Sequence, residues 1–348
     1  MGHHVDVVTM SYDGLPNREV VDGIHVYRVP CIRKAVDISY PHELASYMVG
    51  ALPKAIRLCK RESYDLMHCH FILPDGLIAL WLRRKFGIPL VVTAHGSDVP
   101  GYNPDRFKLI HWLISPAWRA IARTIDTIIC PSRYLEDLIV SHEPKANTRT
   151  IPNGFDIERF SPDNARKKSI LVVTRMLQRK GVQDVLRALA EPGIDFEINI
   201  VGTGPYLDKL MTLDRELGTN ATFHGWLEND SDQFRRLLEE SSIFVFPSHV
   251  ENFPLVLLEA MAAGAAIITT DQSGCREVVD NTALHVPPGD PGAIRKAIER
   301  LISDRALRER LGRAARERLE ENFGWPSVTE SYISAYLELI STSAPHGT

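Results

Sequence analysis

Apolar residues along this chain fall into short runs separated by longer stretches in which they recur every three or four positions. The short runs lie at 5–9, 25–29, 66–70, 90–94, 127–130 and 148–151. A second series follows at 170–174, 196–201, 222–224, 243–246, 266–269 and 283–286. Brief runs rich in Val and Ile and punctuated by turn residues read as strands. The spaced pattern at 43–61, 73–86, 182–190 and 232–240 predicts amphipathic helices, and further helices are expected at 293–302, 305–322 and 328–340. Strands alternating with helices imply parallel sheets covered on both faces. Two series of about six strands are too many for one open sheet. The pattern therefore predicts an α/β chain of two doubly wound domains in tandem.

The joint is expected at "IPNGFDIERFSP", residues 151–162, where two prolines and an Asn-Gly pair break both helix and strand. At 348 residues, with 44% hydrophobic and 24% charged positions, the chain has the composition of a soluble globular enzyme with two domains. A net charge of −4 argues against a nucleic-acid partner. The five cysteines, with no C-x-x-C pair among them, read as reduced thiols in a cytoplasmic protein. No apolar stretch is long enough to span a membrane, and no secretion signal is visible.

Doubly wound domains bind ligands beyond the carboxyl ends of their strands, so the cleft between two of them is the expected site. In "ENFPLVLLE", residues 251–259, Pro254 suits the first turn of a helix. Glu251 then precedes the helix and Glu259 falls in its second turn, with backbone amides of Phe253, Leu255 and Val256 available to an anionic or oxygen-rich ligand. A capped helix with two solvated acids fits the same spacing. "TRMLQRKG", residues 174–181, places Arg175 and Lys180 at a strand end beside a helix start, as a diphosphate cradle or as an ordinary basic loop. "GTGP", from Gly202, brings backbone close to a ligand without completing a dinucleotide fingerprint. His95 in "TAHGSD" is a candidate proton-handling group, while Ser97 and Asp98 equally suit helix caps. "DSD" at 230–232 reads as an N-cap, and in "HCH" at 68–70 alternation sends Cys69 away from His68 and His70. Neither motif is expected to hold a metal.

Together these stretches resemble one family. "HVENFPLVLLEAMAAGAAIITTDQSGCREVV", residues 249–279, looks like the donor-site signature of retaining family 4 glycosyltransferases with the GT-B fold. "TRMLQRKG" resembles that family's Gly-Arg-Leu…Lys-Gly loop, with Thr174 in place of the glycine. "PNGFD" at 152–156 is similar to its interdomain segment, and "HGSDVPGYN" at 95–103 to its acceptor-domain loop. The resemblance implies two Rossmann-like domains, 1–155 on the acceptor side and 156–323 on the donor side, with a last helix in 324–348 packing back toward the first. It implies transfer of a sugar from a nucleotide-sugar donor (UDP-, GDP- or ADP-linked) to a glycan, lipid or small-molecule hydroxyl, with retention of configuration. Arg175 and Lys180 would hold the diphosphate, Glu251 the sugar and Glu259 the ribose. Gly202, Asn252, Phe253, Pro254, Leu255 and Val256 complete the donor set, and His95 would border the reacting carbon. No metal and no cofactor are expected.

Family members normally begin with a strand, a glycine loop and a helix ahead of the segment that "GHHVDVVTM" resembles. Without them, strand 5–9 is expected to close up against its neighbours or to receive a strand from a partner chain, and transfer is expected to be weak. Lys54, Arg57, Lys60 and Arg61 share a helix face that suits either solvent or an anionic membrane surface. Two alternatives stand beside the transferase: a sugar-nucleotide epimerase of the same fold, and a nucleotide-sugar-binding protein without activity.

Overall fold

The computed structural model describes residues 2–12, 14–33, 40–102, 115–162 and 165–343. The chain forms two compact units. The first comprises residues up to 130, 136–149 and the chain from 334 onward, and the second comprises 131–135 and 150–333.

The second unit is built on a six-stranded sheet. Its strands lie in the order Thr222–Gly225, Glu197–Val201, Lys167–Val173, Ser241–Phe246, Ala266–Thr270 and Leu284–Val286, all parallel. Side-chain alternation divides the apolar runs between two cores. Ile170, Val172, Ile243 and Val245 pack with Val182, Val185 and Leu186 on one face. Leu171, Phe244 and Phe246 pack with Leu257, Leu258 and Met261 on the other. A sheet covered on both faces needs apolar residues at every position, which is why these strands read as continuous runs. The chain builds outward from Lys167–Val173 in one direction and then returns to add Ser241–Phe246 on its other side. Between those two neighbours the strand order reverses, and it is beyond the carboxyl ends of strands at such a reversal that open α/β sheets bind ligands.

The first unit departs from expectation. Its strands form two sheets rather than one. Met67–His70, Leu90–Thr93, Thr127–Cys130 and Thr148–Thr150 make a four-stranded sheet. Asp6–Met10 pairs in parallel with Ile24–Val29, and Ile24–Val29 pairs antiparallel with Arg18–Val21. That last strand was not anticipated. It is formed by a two-residue hairpin at Asp22 and Gly23, both at positive φ (50° and 85°), the conformation an Asp-Gly pair favours. Among the described residues no ladder joins the two sheets, so strand Asp6–Met10 does not close up against Met67–His70. Instead the Tyr47 hydroxyl, from helix Pro41–Arg61, donates to the Val8 carbonyl at 3.4 Å.

On that same helix, the Lys54 ammonium rests 3.8 Å from the centre of the Tyr27 ring. The expected basic face therefore reduces to Arg57, Lys60 and Arg61, which are exposed. Among the described residues no helix is long and apolar enough to cross a membrane. Ser231 caps helix Asp232–Glu240 by accepting from the Phe234 amide, as its position in "DSD" predicts. Asn103, the last residue of the acceptor-loop resemblance, lies outside the described residues.

Candidate functional site

Close backbone packing fixes the loop that carries Arg175. After strand Lys167–Val173 the chain passes against the end of strand Glu197–Val201, where the Met176 amide donates to the Thr203 carbonyl at 2.9 Å. Gly202 sits at φ +130°, and a Cβ there would lie 1.9 Å from the Thr174 carbonyl oxygen. Only glycine allows that approach. A 3-10 turn, Gln178–Lys180, then leads into helix Val182–Leu189 through Gly181 at φ +73°. A Cβ on Gly181 would meet the Pro247 carbonyl at 2.3 Å, so this loop is also pressed against the end of the neighbouring strand.

The stretch after strand Ser241–Phe246 is held as firmly. The His249 amide donates to the Arg179 carbonyl at 3.0 Å, and the Glu251 amide donates to the Ser273 hydroxyl at 3.1 Å. Pro254 stands at the N-cap of helix Leu255–Ala262 rather than inside its first turn. Glu259 nevertheless lies in the second turn, as expected. The ammonium of Lys180 pairs with the Glu251 carboxylate, and the two side chains are only 13% and 12% exposed. Sequence reasoning gave these residues separate tasks and did not join them.

A cavity of about 500 Å³ opens at this place within the second unit. Arg175, Lys180, Gly202, Glu251, Pro254, Leu255, Val256 and Glu259 all line it. Asn252 and Phe253, expected in the donor set, do not. The Asn252 side-chain oxygen accepts from the buried Ser132 hydroxyl at 2.7 Å, and Phe253 packs edge-on to Phe323 with ring centres 5.5 Å apart. Arg159, Trp226, Asn229 and Trp325 line the cavity and were missed. "TFHGW" held the only local signal, an indole directly beyond a strand end.

Charge in the cavity is unevenly matched. Arg175 is exposed, and among the described residues its guanidinium has no hydrogen-bond or ion-pair partner. Glu259 is 6% exposed, and its carboxylate likewise accepts no hydrogen bond from a described residue. Burial pushes its carboxyl up to about 7, against a weaker downward pull from Arg159. A half-protonated acid without a partner, facing a cavity, is primed to accept hydrogen bonds from a ligand.

His95 belongs to the first unit. Its Nε2 lies 3.0 Å from Nδ1 of His70, and the two rings stack at 5.2 Å. His70 in turn stacks on His68, so the two histidines of "HCH" share a face as alternation predicts. Burial lowers the pKa of all three, so His95 is a neutral imidazole in neutral solution. Asp98 is not a helix cap. Its carboxylate takes the Ile72 amide at 2.7 Å and the His95 amide at 3.0 Å, tying together the two strand ends that carry these histidines.

Two α/β units, the second with a charged cavity at a strand-order reversal, fit the GT-B glycosyltransferase fold, and comparison with known proteins bears this out. The model for "Glycosyl transferases group 1" matches residues 155–318, and that for "Glycosyltransferase Family 4" matches residues 1–159. The glycogen synthase of Mycobacterium tuberculosis is 30% identical over 292 residues, covering 78% of this chain and 68% of its own. Among solved structures, sucrose-phosphate synthase from Thermosynechococcus elongatus matches with a TM-score of 0.80 at 24% identity, over 98% of this chain and 90% of its own. The Anabaena HepE protein, crystallised with UDP-glucose, matches with a TM-score of 0.75 at 16% identity, over 96% of this chain and all (100%) of its own. The chain belongs to glycosyltransferase family 4, and it is a glycosyltransferase.

Two outcomes follow for stability. A glutamate whose folded pKa is raised contributes stability below its unfolded pKa, and that contribution is lost as pH rises through the folded value. For Glu259 the window runs from about 4.5 to about 7. Glu259→Gln should therefore stabilise the protein at pH 8 by up to about 3 kcal/mol, with the gain gone near pH 4.5; urea titrations at the two pH values measure it, and an equal effect at both would show that the acid is not desolvated. Gly202→Ala should cost of order 1–3 kcal/mol from backbone strain alone, and an unchanged denaturation midpoint would contradict the close approach to Thr174.

Proposed function

We propose that the enzyme transfers a sugar from a nucleotide-sugar donor to an acceptor hydroxyl with retention of configuration, and that the cavity of the second unit holds the donor. The observation carrying this reading is the convergence of Arg175, Lys180, Glu251, Glu259, Gly202 and the start of helix Leu255–Ala262 on one cavity of about 500 Å³. Each group matches one part of such a donor. Arg175, unpaired among the described residues, offers its guanidinium to a diphosphate. The close passage at Gly202 leaves backbone beside it, and the helix start offers amides. Glu259 accepts from a ribose diol.

Lys180 and Glu251 act by exchange. In the free protein each neutralises the other. A diphosphate draws the Lys180 ammonium toward itself and frees the Glu251 carboxylate for hydroxyls of the transferred sugar. The positive charge of Arg175 and Lys180 then sits where negative charge develops on the leaving group, the task a metal performs in other sites. The donor reading thus requires no metal in this cavity. His95 is assigned to the acceptor half of the reaction as a neutral hydrogen-bonding group. Because HepE, a protein of the same fold, was crystallised with UDP-glucose, a uridine nucleotide is the first donor to try.

A thermal-shift panel of UDP-, GDP- and ADP-sugars tests the reading, since a donor at about 100 times its Kd stabilises the fold by roughly 2.7 kcal/mol. No shift with any of them would remove the donor assignment. Arg175→Ala and Lys180→Ala should each slow transfer about 10²–10³-fold; Arg175→Ala should leave the melting temperature near the parental value, whereas Lys180→Ala should lower it by leaving the Glu251 carboxylate unpaired. Glu259→Gln should weaken binding of the nucleoside diphosphate. Glu251→Gln, by releasing Lys180, should leave that binding equal or tighter and impair use of the whole donor. Calorimetry with both ligands separates the two acids, and parallel losses would refute the exchange.

A further inference from the structure

We propose that His4, Asp6 and His25, in the first unit, form a binding site for a transition-series dication, with zinc the best match. Strand register builds the cluster. His4 lies two residues ahead of Asp6, just before the strand begins, and Asp6 stands opposite His25 in the parallel pairing of strands Asp6–Met10 and Ile24–Val29. Nε2 of His4 lies 3.5 Å and Nδ1 of His25 3.0 Å from the same carboxylate oxygen, Oδ1 of Asp6. The three ligand atoms lie within 4.8 Å of one another. Ligands on a tetrahedral ion at about 2.0–2.1 Å stand roughly 3.4 Å apart, so both nitrogen–Oδ1 distances already lie within a few tenths of an ångström of a coordination shell.

The other carboxylate oxygen, Oδ2, is held by the Tyr64 hydroxyl. That bond aims Oδ1 at the two imidazoles, the way an outer partner orients a metal-binding carboxylate. Asp6 is nearly enclosed, at 3% exposure, whereas His4 and His25 are 56% and 33% exposed and leave an entry path and a fourth position for water. Two imidazoles and one carboxylate form a borderline ligand set that suits zinc better than calcium or magnesium. Lys54 and Arg61 lie within electrostatic range of Asp6 and oppose a dication, so the affinity falls below that of a closed four-ligand site. The proposal is independent of the donor cavity, and no step of sugar transfer is routed through the ion.

Equilibrium dialysis of the full chain against Zn²⁺, with Co²⁺ absorption as a reporter of tetrahedral N/O ligation, tests it. The expected result is saturable binding of one ion per chain, abolished in His4→Ala and in His25→Ala, and weakened about 10–100-fold in Tyr64→Phe. Both histidines are exposed enough for the alanine variants to fold, which their chelator-treated melting curves verify. Binding that survives both substitutions would place the ion at other histidines, and no saturable binding would leave Asp6 as a plain ion-pair acceptor. Either outcome overturns the proposal.

Discussion

The ion pair between Lys180 and Glu251 spans the one boundary in the six-stranded sheet where strand order reverses. Strand Lys167–Val173 delivers Lys180 and its neighbour Ser241–Phe246 delivers Glu251, so the pair bridges the loops that open the cavity. Two nearly enclosed opposite charges are a weak source of stability, because desolvation offsets most of their attraction. Each keeps the other satisfied, and in the proposed reading a donor diphosphate would take over Lys180. The glycines that press these loops onto adjoining backbone, Gly181 and Gly202, help the loop hydrogen bonds keep the groups in register.

How far the chain could be read depended on whether the relevant contacts were local. The second unit's strands were legible because both faces of the sheet are covered, and the apolar runs at 170–174, 196–201 and 243–246 could belong to little else. The loops carrying Arg175, Glu251 and Glu259 were legible because their chemistry sits in contiguous stretches. The pairing of Lys180 with Glu251 was not, since 71 positions separate them and only sheet order brings them together. The same holds for Asn252, whose partner Ser132 is 120 positions away. Strand Arg18–Val21 is a different kind of miss. Its Asp-Gly turn is a local signal, passed over because "REVV" lacks the apolar density of the other strands.

In the first unit, alternation in "HCH" predicted a shared face for His68 and His70 but could not show what that face meets. His95 arrives from the end of the neighbouring strand, and a hydrogen bond between neutral imidazoles fixes one ring against the other. Protonating both nitrogens of that contact would set two donors against each other, so at most one of the rings can be charged, and burial lowers the pKa of both.

Two buried acids show how a structural carboxylate is told from one that awaits a ligand. Asp98 and Glu259 are both enclosed, and burial raises the pKa of each. Asp98 has both oxygens occupied by backbone amides from two strand ends, and its own carbonyl accepts from the Trp118 indole at 2.8 Å. The bonds to Ile72 and Trp118 hold separate pieces of chain together. Glu259 has no such bonds among the described residues and faces a cavity lined by Arg159, Arg175 and the helix start. A buried carboxylate without donors costs free energy that the fold recovers nowhere nearby. A ligand that supplied two hydroxyl donors would remove that cost on binding and return the carboxyl toward its ordinary range. The same desolvation therefore marks a brace in the first unit and a candidate binding group in the second, and the difference lies in which groups answer it.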